Sequence, residues 1–294
     1  MLESILEFLI LGIVLGGIYA MFSTGLTLIF GVLDVINVAH GEFFAIGGYI
    51  VFVAVVLLHL SPVLGILAAT SGSFLLGLAI YPLLIKPMKR RLGRRPQGPL
   101  FLVLTLGLST FLQSSMLAIG GGDYLRVPPF VRGMLDLTFT AVSYQRLLIL
   151  SVAAVSLAAL FLFLHFHRQG MAIRAVALNP DAAQAVGINL GMIFTLALAL
   201  GVGLAGMAGA LIAPLFNVYP AVGFAFTIKA FAITILGGLG NLAGALLASF
   251  VIAIVETLSV LVIPSQWQNV IAFAIMILVL LIRPQGLLGR ADQK

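Results

Sequence analysis

Asp34, Asn37, His40 and Glu42 stand close together in residues 31–49, GVLDVINVAHGEFFAIGGY, between two apolar runs. Two carboxylates, an amide and an imidazole at this spacing could line a polar path or hold a proton or cation. Each ionised side chain at a bilayer centre costs about 2.5–3.5 kcal/mol on insertion scales. Three near the midplane would need pairing or water. One reading is therefore a discontinuous helix lining a polar path. The other is a tight turn at the cytoplasmic face, with the same groups in bulk water. The preceding apolar run is about 37 Å long as a helix, enough to cross a bilayer, so both readings stand.

Other chemistries find little support. The zinc protease pattern is H-E-x-x-H, whereas residues 40–42 read His-Gly-Glu. His165 and His167 are two apart and do not share a helix face. No metal site is expected. There is no G-x-S-x-G nucleophile motif, and the chain has no cysteine. Ser23, Thr24, Thr105, Ser109, Thr110 and Gln113 lie within apolar stretches and are expected to bond between helices. No G-x-x-x-x-G-K-[ST] occurs, so the chain carries no P-loop of its own. An NTP-driven role would need another subunit.

The elements that must position these groups are membrane helices. Of 294 residues, 62% are hydrophobic and 8% charged, against about 25% charged in a soluble domain. Apolar stretches near 7–31, 42–60, 62–85, 98–119, 147–165, 190–214, 221–240, 244–263 and 268–283 predict eight or nine spans. Backbone groups must be satisfied inside the bilayer, so the fold class is an all-α polytopic bundle with broken helices. The first stretch lacks a basic n-region and is too long for a signal h-region, so it is expected to be a span. One permease domain is expected over 1–294.

Gly12, Gly16 and Ala20 recur at spacing four, as do Gly201, Ala205 and Gly209. Small residues repeated this way let helices approach closely. Each run precedes an interruption, at 31–49 in the first half and at 237–244, GGLGNLAG, in the second. Halves over 5–165 and 190–283 would have inverted topology, an arrangement that places broken helices around a central path. Asn241, in the second interruption, joins Asp34, Asn37, His40 and Glu42 as a candidate path residue.

Net charge is +6, yet nucleic acid is not implied. Lys86, Lys89, Arg90, Arg91, Arg94 and Arg95 share one loop; Arg168 and Arg174 share another; Arg283, Arg290 and Lys294 close the chain. These eleven of the fifteen basic residues mark cytoplasmic segments. The 86–95 loop also suits anionic lipid headgroups. Residues 120–146 balance Arg126, Arg132 and Arg146 with Asp123 and Asp136, and are expected outside. An external N-terminus, nine crossings and a cytoplasmic C-terminus satisfy all of this. Lys229 is expected to snorkel to the outer interface or to line a vestibule. Glu256 lies deeper and is expected to be paired inside the bundle, or in a self-sufficient carrier to bind a proton or cation.

Residues 168–190 interrupt the apolar pattern with a short helix. Asn179 can cap it, Pro180 suits its first position, Asp181 its dipole, and Gly187 its stop. A helix this short is marginal alone and must dock. Its face of Ala182, Ala183, Ala185 and Val186, flanked by Gln184, lacks the large apolar residues that grip a membrane. A protein groove suits it better.

The segments GLTLIFGVLDVINVAHGEFFAIGGY (25–49), MAIRAVALNPDAAQAVGINL (171–190), KAFAITILGGLGNLAGALLASF (229–250) and LIRPQGLLG (281–289) resemble the permease subunits of branched-chain amino-acid ABC importers, LivH type. The resemblance runs from about residue 8 to residue 289. Closely similar permeases serve urea and other amides. The resemblance implies a bacterial inner-membrane protein paired with a LivM-type permease, two cytoplasmic ATPases that use ATP and Mg, and a periplasmic amino-acid-binding protein. It implies no cofactor in this chain and no covalent catalysis. It sets residues 31–49 near the translocation path and 179–188 against the ATPases.

Overall fold

The computed structural model describes residues 2–92, 98–137 and 140–289. Arg94, Arg95, Arg290 and Lys294 of the basic segments lie outside them. The helices are α1 Leu2–Leu33, α2 His40–Phe52, α3 Pro62–Ile80, α4 Lys86–Leu92, α5 Gly98–Gly120 and α6 Tyr144–Phe166. They continue as α7 Arg168–Leu178, α8 Pro180–Ala185, α9 Leu190–Ile212, α10 Val222–Gly237, α11 Leu242–Ser259 and α12 Gln268–Ile282. π-helical turns, Val53–Leu57 and Tyr81–Ile85, extend α2 and join α3 to α4.

Among the described residues, seven helices are long and apolar enough to cross a membrane, and Val222–Gly237 and Phe273–Ile282 are shorter apolar helices. The protein is thus a polytopic all-α membrane protein. All nine expected stretches are helical, but α10, with 16 residues, is only about 24 Å long. That is less than the roughly 30 Å of hydrocarbon.

Three features were not expected, the first being that Lys86–Leu92, read as part of a loop, forms the helix α4. Arg168–Leu178 forms the helix α7, where only the shorter 179–187 segment carried recognisable end signals. Residues 120–146 hold an antiparallel hairpin, β1 Met134–Leu137 paired with β2 Thr140–Ser143.

The core is built on α1 and α9. The helix α1 packs mainly on α11 and α9, while α9 packs on α3 and α2. Small residues set these contacts as their spacing predicts. Gly12 and Gly16 of α1 face Ile254 and Phe250 of α11. Gly25 of α1 and Gly201 of α9 each face the other's carbonyl, where an added Cβ would sit 2.6 Å away. A second reciprocal crossing joins the first turns of α2 and α10. There Gly41 lies on the Gly223 carbonyl, and Gly223 on that of Gly41.

The end of α1, the basic helix α4 and the α10–α11 turn share one end of the bundle. Lys89 Nζ donates to the Leu33 carbonyl at 3.2 Å and sits over the rings of Phe101 and Phe194. Gly31 packs on Gly240 in the same layer. Residues 287–288 lie beside the end of α10, where Leu287 N donates to the Leu236 carbonyl at 2.7 Å.

Candidate functional site

The interruption after α1 is a doubling back of the chain. Asp34 turns it with φ 53°, a left-handed conformation that Asp tolerates. Residues 34–37 carry no regular structure, and α2 begins at His40. The His40 ring nitrogen Nε2 lies 3.0 Å from the Phe22 carbonyl, and the imidazole stacks on the Phe22 ring at 4.7 Å. Phe22 precedes Leu33 by eleven residues, about 16 Å along a helix. The start of α2 is therefore carried deep into the bundle beside the middle of α1.

Neighbouring helices hold this broken segment by hydroxyls. Thr105 of α5 donates to the Ile36 carbonyl at 3.0 Å and accepts from Val38 N at 3.2 Å. Thr227 of α10 accepts from Gly41 N at 2.9 Å. Ser109 of α5 donates to Glu42 Oε1 at 2.9 Å. Thr105 and Ser109 thus bond between elements as expected, whereas Thr110 bonds back to the Leu106 carbonyl of its own helix at 3.1 Å.

Asn37, His40 and Glu42 are all buried, at 4%, 0% and 1% exposure, while Asp34 is exposed. Among the described residues, Asn37 Oδ1, His40 Nδ1 and Glu42 Oε2 have no hydrogen-bond partner, nor have Ser23 Oγ and Thr24 Oγ1, next to Phe22 on α1. Leaving a buried polar atom unpaired costs about 1–3 kcal/mol. Native structures carry few such atoms, and a concentration of them in one place calls for a reason. The arrangement can offer donors and acceptors to a polar molecule within the bundle.

Asn241 stands elsewhere. It caps α11, with Oδ1 accepting from Gly244 N at 3.0 Å, and its Nδ2 donates to the Leu288 carbonyl at 2.6 Å. Both ends of its amide are engaged, Oδ1 in capping α11 and Nδ2 in tying the C-terminal segment to the α10–α11 turn. It does not join the His40 cluster.

The 179–187 helix forms as its end signals predict. Asn179 Oδ1 accepts from Ala182 N at 2.9 Å, Pro180 opens the helix, and Gly187 leaves it with φ 89°. Ala183, however, is 4% exposed and belongs to this chain's own core. The face expected to be free is therefore corrected at that residue. Opposite Ala183 the helix exposes Asp181 and Ala185, flanked by exposed Ala182 and Gln184, and Val186 at its end and Leu178 at the end of α7 are each 78% exposed.

Lys229 also departs from expectation, for it does not snorkel. Its Nζ lies 2.6 Å from Glu256 Oε1 and donates to Tyr19 Oη at 2.9 Å. Tyr19 Oη in turn donates to Glu256 Oε2 at 3.2 Å. Glu256 is paired inside the bundle, as its depth required. Sequence reading missed Tyr19 and Thr227, because a lone Tyr or Thr in an apolar helix carries no spacing signal. Their partners are 237 and 186 residues away.

The comparisons agree on a family. Residues 8–280 match the model for the branched-chain amino acid transport system / permease component. The high-affinity branched-chain amino acid transport system permease protein BraD of Pseudomonas aeruginosa is 34% identical, covering 98% of this chain and 96% of that one. The corresponding LivH protein of Escherichia coli K12 is 31% identical over 96% of this chain and 94% of its own. The probable LivH permease of Methanocaldococcus jannaschii is 28% identical over 94% and 90%. No solved structure matches the chain. With near full-length coverage and a broken, polar-lined helix inside an apolar bundle, this chain belongs to the permease-component family of the branched-chain amino acid transport system.

Proposed function

We propose that this permease subunit passes a branched-chain amino acid across the bacterial inner membrane by alternating access, driven by ATP hydrolysed on partner subunits. The observation that carries the reading is the concentration of buried, unpartnered polar atoms at the start of α2. A transport path needs polar groups at membrane depth that are free to engage a solute. Asn37, His40 and Glu42 are the path groups, and Asp34 stands at its cytoplasmic mouth. The reciprocal crossings Gly25–Gly201 and Gly41–Gly223 support an inverted repeat in which α1 and α2 correspond to α9 and α10. The working assembly adds a LivM-type permease, two ATPases binding ATP and Mg, and a periplasmic binding protein. The relatives' names, both of branched-chain amino acid transport permeases, support the amino-acid class.

The test is uptake by cells carrying the whole transporter. Glu42→Gln keeps the side-chain shape, and His40→Phe keeps the ring stack. Each should lower leucine uptake at least tenfold, about 1.4 kcal/mol in a rate, while membrane abundance stays normal. Full uptake by both would refute the path assignment. A panel including urea separates the amino-acid reading from an amide permease.

Orientation is tested in the cysteine-free chain. Asp123→Cys should react with an impermeant thiol reagent in intact cells, and Arg91→Cys only after permeabilisation. The opposite pattern would mean that the bundle is inverted.

A further inference from the structure

Lys229 and Glu256 form the one salt bridge among the described residues, and it lies within the bundle, 16% and 6% exposed. Buried ion pairs are weak stabilisers, because desolvation offsets most of their attraction, and apolar replacements are often as stable. Ionisable groups at membrane depth more often mark a solute pathway.

The surroundings of the pair indicate a ligand class. Val222, Phe226 and Lys229 are spaced four and three apart on α10 and so share one face. Val222 and Phe226 line a narrow apolar crevice with Phe44, Ile212 and Phe216, which in this state has room for about one water molecule. Phe226 stacks on Phe44 at 4.2 Å and meets the Tyr19 ring edge-on at 6.3 Å. Lys229 Nζ stands 5.1 Å from the centroid of that same Tyr19 ring. The apolar crevice and the ion pair therefore share a wall. From Val222 to Lys229 the helix rises about 10 Å. This surface changes from aliphatic and aromatic to charged within two helical turns.

We propose that Lys229 and Glu256 are an exchangeable pair that receives the solute, with Lys229 taking a carboxylate, Glu256 taking an ammonium, and the crevice beside Phe226 widening to take an apolar side chain. The ligand class is the zwitterion of an apolar amino acid. This inference rests on the functional reading above and adds a subsite to it. A zwitterion replaces one ion pair by two charge-assisted contacts, so neither buried charge is left bare. A solute with a single charge strands one partner, which is a large penalty in a low-dielectric site. Tyr19 Oη touches both groups and keeps one hydrogen bond on each while they part. Thr227, two residues from Lys229, holds the start of α2, so α10 links this subsite to the broken segment.

The test uses cells with the intact transporter. Lys229→Met with Glu256→Leu removes both charges at similar volume. Leucine uptake should fall at least tenfold with unchanged membrane abundance. Uptake within twofold of wild type would show a mere brace and overturn the proposal. Lys229→Glu with Glu256→Lys keeps a complementary pair and should transport at least threefold faster than the neutral variant. No recovery at normal abundance also overturns it. A second measurement leaves both charges in place. Labelling of Ala225→Cys, exposed beside Phe226, by N-ethylmaleimide should slow at least twofold under saturating leucine. Unchanged labelling counts against the subsite. If wild-type cells take up no apolar amino acid, the functional reading falls and the inference with it. Normal wild-type uptake with an unimpaired neutral variant sinks the inference alone.

Discussion

Gly41→Val should leave little assembled protein in the membrane. A Cβ at Gly41 runs into the Gly223 carbonyl and the Thr227 hydroxyl. The first is backbone, so no rotamer change can relieve it. The second already accepts the Gly41 N–H, so moving it breaks a buried hydrogen bond. Overpacking costs about 1–3 kcal/mol, occasionally more, and here a lost bond of roughly 1 kcal/mol is added. Whole domains are stable by only about 5–15 kcal/mol. The control is Gly107→Val on α5, where an added Cβ meets nothing within 4 Å. Membrane abundance and the thermal midpoint in detergent should fall for Gly41→Val and hold for Gly107→Val. Equal behaviour of the two would show that the α2–α10 crossing is looser than its geometry implies.

We propose that α8 docks on the partner ATPases, in which case Ala185→Arg should uncouple the permease from them while leaving it folded. Ala185 is exposed, on the side of α8 opposite Ala183, with Asp181 and Ala182 exposed beside it. The helix is held to its own protein from the other side, by Ala183, and is closed at its start by Asn179. An arginine at 185 therefore meets water in the isolated chain. In a partner's groove it meets close packing, at about 1–3 kcal/mol for overpacking and more for a buried unpaired charge. That shifts an assembly equilibrium roughly tenfold or further. The complex should lose its ATPases on purification, or keep them with hydrolysis no longer linked to uptake. Ala183→Arg should fail differently, by lowering the stability of this chain itself. Normal co-purification and coupled uptake by Ala185→Arg would remove the helix from the coupling role.

Much of this protein was decided by local chemistry and could be read in order along the chain. The nine apolar stretches had to be helical, because hydrocarbon satisfies no backbone group. Asn179, Pro180 and Gly187 wrote the ends of α8, since caps and stops act within a few residues. The spacing of Gly12 and Gly16, and of Gly201 and Gly209, foretold close helix crossings, because small residues at spacing four share one face. The four polar groups of residues 34–42 announced an interruption, since such groups are rare within apolar helices and cluster where one is broken.

Only the tertiary structure decided where those groups lie and what they touch. The interruption could equally have been a turn in water. Its burial follows from the Phe22 carbonyl, Thr105, Ser109 and Thr227, whose partners lie up to 186 residues apart. Asn241 reads as polar and available, yet Gly244 and Leu288 engage both ends of its amide. Ala183 reads like Ala182 and Ala185, and only the packing of α8 turns it inward. Lys229 looked close enough to a span's end to reach water. Its partners Glu256 and Tyr19 come from α11 and α1, and one-dimensional spacing carries no information about which helices will be neighbours. That choice belongs to the summed fit of small residues across the bundle, where chain-distant glycines such as Gly41 and Gly223 meet.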